Sequence, residues 1–331
     1  MAFHTPLLHR MDALTTVLWR IYSFEIPLIS GKVRRGLVFS LKDTDGNERW
    51  GEISPHECRN LESLELAFQQ LVQFFDGTYQ GELFPSVQFG LESALSPPIK
   101  QTTAPLYAFA CGSKDEILAQ ADIAQQQGYE TLKVKISNLS IREAAEVLHA
   151  LKHRFRLRVD CSSKFTVDDA NTFFSEFDKE LFDYIEDPSY EVAKLGAFTH
   201  PFAIEEAVLQ YPSLSVATYA NLHGFILKPT ALGGMKGCAP IVAFAKEKKL
   251  KVVFSPAFES GLGLLQILNV AKHFDLLKEP IGLDTHRHLQ YDLLESGINF
   301  NTPVLTVSEL PQINKKYLTE LRDGTCPLPH L

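Results

Sequence analysis

Between residues 105 and 290, short apolar runs alternate with longer stretches of helical spacing, and no other feature restricts the fold so strongly. The runs lie at 106–110, 131–136, 156–160, 182–186, 202–204, 224–228 and 251–254, and Gly282-Leu283 seeds a last one. Helical stretches fall between them at 114–127, 141–152, 167–177, 237–248 and 262–272. A strand followed by a helix and another strand returns to the same sheet in parallel, through a right-handed crossover. About eight such strands match the count of a compact (β/α)₈ barrel. A doubly wound open sheet is the structural alternative. No GxGxxG follows a strand, so a dinucleotide site has no support.

The first hundred residues are built differently. Residues 17–26 and 36–41 are rich in β-branched, aromatic and aliphatic side chains, and 48–53 follows the hairpin turn Asp43-Thr44-Asp45-Gly46. Leu64, Ala67, Phe68, Leu71, Val72 and Phe75 recur at helical spacing, and a second short helix over 86–95 stops at Pro97-Pro98. The expected organisation is an α+β capping domain over 1–100, a linker at 101–103, a barrel over 104–290 and a segment 291–331 that packs back on the cap.

Net charge is −8 and the Lys and Arg residues are dispersed, which excludes a nucleic-acid footprint. No apolar run approaches the length of a membrane span, and residues 1–6 carry no signal-peptide pattern, so no membrane partner is expected. Cys58, Cys111, Cys161, Cys238 and Cys326 are far apart and form no CxxC. A disulfide framework and a zinc cluster are both disfavoured, and a cytoplasmic setting fits.

Charges mark the C-terminal ends of successive runs: Lys135, Asp160, Glu186, Glu205 and Lys228. In a barrel, that end carries the active site. One charge there is commonly a loop residue meeting solvent; the order Lys, acid, acid, acid, Lys points to a site. Three carboxylates converging on one point stay ionised only with a cation between them. All-oxygen ligation suits Mg²⁺, with Mn²⁺ as a substitute. Lys133 and Lys135 share one face of their strand, opposite Leu132, Val134 and Ile136. If that face is buried, lost hydration and mutual repulsion lower a lysine pKa toward that of a base; a solvated edge strand is the alternative. A lysine on each side of a metal suits removal of a proton from carbon next to a carboxylate, with the developing enediolate held by positive charge.

These residues resemble the enolase superfamily and, within its muconate-lactonising-like branch, the o-succinylbenzoate synthase family. The resemblance rests on Lys133-Val134-Lys135, Asp160, Glu186-Asp187-Pro188, Glu205-Glu206, Lys228-Pro229-Thr230 with Gly233, the stretch from Phe254 to Gly263, and Gly282-Leu283-Asp284-Thr285. It implies a modified (β/α)₇β barrel with an N-terminal α+β capping domain. It implies Mg²⁺ on Asp160, Glu186 and Glu205, with Lys135 as the base, Lys133 tuning it and Lys228 facing the enediolate from the other side. Ser255, Phe258 and Gly282 would border the substrate's succinyl arm. Loops near residues 29–35 and 54–55 would act as lids. The implied reaction is a syn dehydration of 2-succinyl-6-hydroxy-2,4-cyclohexadiene-1-carboxylate to 2-succinylbenzoate, a step toward menaquinone.

Three positions depart from the family pattern. Asp160-Cys161-Ser162 stands where Asp-x-Asn is usual, Glu205-Glu206 where Asp-Glu is common, and Asp187 where Glu often precedes the proline. The second departure leaves Glu206 as an alternative third ligand. Rival activities are N-acylamino acid racemisation, dipeptide epimerisation and, more distantly, muconate-type cycloisomerisation. Ser255-Pro256-Ala257 counts against the epimerases, which usually carry Asp-x-Asp there. A non-catalytic barrel is the rival from another class. His286-Arg287-His288 reads as a loop pair, and Cys161 as a core thiol turned away from the site.

Overall fold

The computed structural model describes residues 16–56, 60–205, 219–295 and 298–327. Strands β1 (Thr16–Pro27), β2 (Val33–Lys42) and β3 (Glu48–Ile53) form an antiparallel meander. Between β2 and β3 the Asp43 carboxylate accepts from the backbone of Asp45 at 3.0 Å and Asn47 at 2.9 Å. Gly46 supplies the left-handed residue that the turn needs, at φ +87°. One face of this sheet carries Trp19, Ile21, Leu37 and Phe39 against the helices Leu64–Phe75 and Pro85–Leu95. Trp19 stacks on Phe75 with ring centroids 5.1 Å apart.

After β4 (Thr102–Pro105) comes the barrel. Its strands are β5 (Ala108–Ala110), β6 (Thr131–Lys135), β7 (Arg156–Asp160), β8 (Phe182–Glu186), β9 (Phe202–Ile204), β10 (Leu222–Leu227) and β11 (Lys251–Phe254). They form one seven-stranded parallel sheet in sequence order, so the expected modified barrel is the observed fold. The seam is closed by two residues. Ile281 makes a parallel bridge to Leu106, and Gly282 N donates to Phe254 O at 3.1 Å. Leu132, Val134, Leu157 and Val159 point outward and are fully buried in the barrel's main core. The alternate residues therefore fill the interior.

Two strands from the far end of the chain complete the structure. β12 (Val304–Val307) pairs antiparallel with β4, and β13 (Thr319–Pro327) pairs antiparallel with β1. Thr102 and Thr103, expected in a linker, thus belong to a strand whose partner lies far along the chain. No local signal could specify that pairing.

Two carboxylates fasten the cap to the barrel. Glu52, fully buried at the end of β3, accepts from Ser260 N at 3.2 Å, Ser260 Oγ at 2.5 Å and Gly263 N at 2.9 Å, at the start of the helix Gly261–His273. Glu92 accepts from Met235 N at 2.6 Å and Lys236 N at 3.2 Å, at the start of the helix Gly234–Lys248. Both satisfy donors that a helix start leaves without partners, where negative charge is favoured.

Candidate active site

The ladder sets the expected charges level with one another. Lys135 pairs in register with Asp160, Asp160 with Glu186, and Glu186 with Ala203 of β9. Glu205 follows β9 directly, and Lys228 follows β10. Lys133 and Lys135 face the interior, and Lys133 is buried. The solvated-edge reading of this strand is therefore set aside.

Each carboxylate meets an ammonium group. Lys133 Nζ donates to Glu186 Oε1 at 2.7 Å and lies 3.5 Å from Asp160 Oδ2. Lys135 Nζ lies 3.3 Å from the same Asp160 oxygen. Lys228 donates to Glu205. Burial on its own would lower the Lys133 pKa. Glu186 and Asp160 outweigh it and hold the ammonium well above the ordinary lysine range. Lys133 is thus a firmly charged partner of the acids, and the lowering that burial and repulsion would give a lysine on this face does not hold for it.

Glu186 carries the opposite stress. Burial pushes its carboxyl up to about 8, against the pull of Lys133, and the nearby Asp160 and Glu205 add to the rise. Its Oε2 is buried and has no hydrogen-bond partner among the described residues. Asp160 sits below the ordinary carboxyl value: burial opposes ionisation, but Lys133 and Lys135 override it.

The three acids were expected to hold a divalent cation. Among the described residues, no group of three or more His, Cys, Asp or Glu side chains is arranged ready to hold one. Lys133, Lys135 and Lys228 pair with these carboxylates. The donor chemistry still fits a hard cation, since every candidate ligand atom is a carboxylate oxygen. A cation would also supply what Glu186 Oε2 lacks. Glu206, the alternative third ligand, lies outside the described residues.

The expected arm-binding residues come together on the other side of the mouth. Ser255 is buried, and its backbone N donates to Leu227 O at 2.9 Å beside the Lys228 turn. The Tyr107 side chain is buried beside it, in the barrel interior. At Gly282 a Cβ would lie 1.9 Å from the Tyr107 hydroxyl, so only glycine fits there. Phe258 adopts a left-handed backbone, φ +65°, with its ring 6.0 Å from that of His288. Glu259 ties this loop to the turn after Lys228, accepting from Ala257 N and Thr230 Oγ1, each at 2.5 Å. Of the expected lids, Ile29 is 67% exposed and its backbone is held by His288 O at 2.9 Å. Buried Arg34 donates to the carbonyls of Ser54 and Pro55.

Sequence reasoning assigned no role to several residues found here. Asp187 has φ +42° and its carboxylate accepts from Glu205 N at 2.9 Å, setting the start of the third acid's loop. Ser162 bonds both Lys135 and Asp160. Tyr107 would have been found by extending the two-residue alternation back through the first barrel strand. The His286-Arg287-His288 loop makes local pairs: His286 with Asp292 at 3.1 Å and Arg287 with Asp284 at 2.6 Å.

A profile of the family described as Enolase C-terminal domain-like matches residues 116–311. The chain belongs to the enolase superfamily. It is 25% identical to the o-succinylbenzoate synthase of Haemophilus influenzae, over 87% of this chain and 95% of the relative. A muconate lactonizing enzyme structure superposes with a TM-score of 0.72 at 15% identity, covering 91% of this chain and 99% of its own. A dipeptide epimerase from Cytophaga hutchinsonii, complexed with Mg and the dipeptide D-Ala-L-Val, gives a TM-score of 0.71 at 16% identity, covering 94% of this chain and 99% of its own. The relatives support an enzyme of this superfamily. Among the described residues no helix is long and apolar enough to cross a membrane.

Proposed function

We propose that the protein is an o-succinylbenzoate synthase acting in the cytoplasm. It would remove water from 2-succinyl-6-hydroxy-2,4-cyclohexadiene-1-carboxylate to give 2-succinylbenzoate. One observation carries the reading: amines from two separated strands, Lys135 at the end of β6 and Lys228 just after β10, flank Asp160, Glu186 and Glu205 at the same end of the barrel. The similarity to o-succinylbenzoate synthases over most of the chain supports the choice of substrate.

Asp160, Glu186 and Glu205 would hold Mg²⁺, whose positive charge lowers the cost of negative charge on the substrate carboxylate. Lys135, as the neutral amine, takes the proton from the carbon beside that carboxylate. It then returns the proton to the departing hydroxyl on the same face, and the ring becomes aromatic. Lys228 presents its ammonium from the opposite strand to the growing charge. Lys133 stays protonated and keeps Glu186 and Asp160 in place. Ser255, Phe258 and Gly282 would receive the succinyl arm, and the small residue at 282 leaves the Tyr107 hydroxyl at the wall of that subsite.

A second reading keeps the proton chemistry and changes the substrate, and the epimerase fold match favours it. Purified protein with Mg²⁺ should remove the diene absorbance of the proposed substrate, and EDTA should abolish that activity. Efficient racemisation of N-succinylamino acids or epimerisation of dipeptides, with the diene untouched, would reverse the choice.

A further inference from the structure

Ser162 stands in a backbone conformation that serine does not favour. Its φ is +45°, and that of Ser163 is +58°. Left-handed backbone is uncommon outside glycine, and among other residues asparagine and aspartate adopt it most readily. Such geometry persists only where its surroundings enforce it. Here they do: Cys161 N donates to Glu186 O at 3.0 Å, Ser163 N to Asp187 O at 2.8 Å and Lys164 N to Cys161 O at 3.1 Å. The Lys164 ammonium then ties the turn to Ile136 O and Leu139 O, just beyond the lysine strand. The turn is fixed to the two strands that carry Lys135 and Glu186.

The hydroxyl is what this turn presents. Ser162 Oγ donates to Asp160 Oδ1 at 2.8 Å and accepts from Lys135 Nζ at 2.5 Å. Ser162 N also donates to Asp160 Oδ1, at 3.0 Å. The other contact of Lys135, to Asp160 Oδ2, is longer at 3.3 Å, and that carboxylate is needed for the cation.

We propose that Ser162 is a positioning residue that aims the Lys135 amine at the substrate carbon, an inference that rests on the reading of Lys135 as the base. A neutral amine has two hydrogens and one lone pair. With one hydrogen held by Ser162 Oγ, the lone pair has a restricted set of directions. In the forward step the carbon–hydrogen bond breaks, the proton joins Nζ and the electron pair passes into the substrate carboxylate. In the second step Nζ gives that proton to the hydroxyl, the carbon–oxygen bond breaks and water leaves. Ser162 keeps its own proton on Asp160 throughout and is unchanged at the end.

The test compares Ser162→Ala with Ser162→Asn, which tolerates the left-handed backbone and restores an acceptor. In Ser162→Ala, kcat should fall roughly tenfold to a hundredfold with KM within about threefold. The deuterium isotope effect on kcat for the transferred hydrogen should rise, because proton transfer becomes the slow step. Mn²⁺ affinity measured by calorimetry without substrate, and the melting temperature, should stay near wild type. Ser162→Asn should recover most of kcat. Wild-type kcat and isotope effect in Ser162→Ala, or a fall explained by lost Mn²⁺ affinity, would overturn the assignment. If the wild type leaves the diene intact, the dehydratase reading fails separately. The same variants are then compared by deuterium uptake at the α-carbon of an N-succinylamino acid, where the same ordering is expected. A wild type inert in both assays overturns both proposals.

Discussion

The barrel has a cluster of buried charges at each end, and the two are built to opposite rules. At the base, Arg158 is fully buried, with its guanidinium over the rings of Tyr107 at 4.9 Å and Tyr184 at 5.1 Å. It donates to Asp183 Oδ2 at 2.9 Å and to Pro280 O at 2.8 Å. Asp183 also receives Lys251 at 2.5 Å and Arg156. A bulge brings it there, since Leu157 pairs with Phe182 but Arg158 pairs with Tyr184, leaving Asp183 as the extra residue. Burial opposes its ionisation, yet Arg158 and Lys251 hold its carboxyl below the ordinary value. At the mouth, Glu186 is pushed up to about 8 with an unmatched oxygen, and Ser162, Ser163, Asp187 and Phe258 all adopt left-handed backbone. The base has nearly completed its pairing; the mouth holds its charges under stress, ready for groups that arrive with the reaction.

Substitutions at the two ends should separate these rules. The largest effect is expected for Lys135→Ala: turnover of the diene should fall by at least ~100-fold. Its melting temperature should barely move, because this side chain is 30% exposed and Asp160 keeps Lys133. Substantial residual dehydration would remove Lys135 from the role of base.

Asp183→Ala should do the reverse. It strands three cations and should cost about 3–5 kcal/mol in urea unfolding, while the folded fraction keeps its kcat. A small loss would mean that the base cluster contributes little to the fold. The pH dependence carries the same distinction. Asp183 has a folded-state pKa below its unfolded one, so its contribution is present above about pH 3.9 and is lost as pH falls through the folded value. Asp183→Asn should flatten that acid limb of the stability profile, and an unchanged limb would assign it to other carboxylates. A stability change smaller than that at Asp183, under ~2 kcal/mol, is expected for Glu186→Gln, since Lys133 retains Asp160 at 3.5 Å. Its calorimetric Mn²⁺ affinity should nevertheless drop at least tenfold.

Much of this contrast was legible in the sequence, but unevenly. Periodicity placed the strands, and strand ends placed Lys135, Asp160, Glu186, Glu205 and Lys228 at one mouth, because alternation and ladder register leave little freedom there. The base cluster was not foreseen. Asp183 turns inward only through a bulge, and a strict two-residue alternation assigns it to the outer face. Ser162 was seen only as a departure from a pattern, since its partners depend on a left-handed turn that bonds across three strands fix. The closing strand shrank to Ile281 and Gly282, too short for any periodic signal. The raised Lys133 ammonium also escaped, because the repulsion between two lysines is visible in the chain and the carboxylates that outweigh it belong to other strands.

The pairing of β13 with β1 sets Thr16 opposite Pro327, almost the whole length of the chain away. During synthesis the barrel strands leave the ribosome while the outer edge of β1 still lacks its neighbour, and the cap sheet is finished last. Without residues 319–327 the backbone edge of β1 would stand unpaired, a template for joining one molecule to another. In the folded protein β13 covers that edge from Thr16 to Ser23.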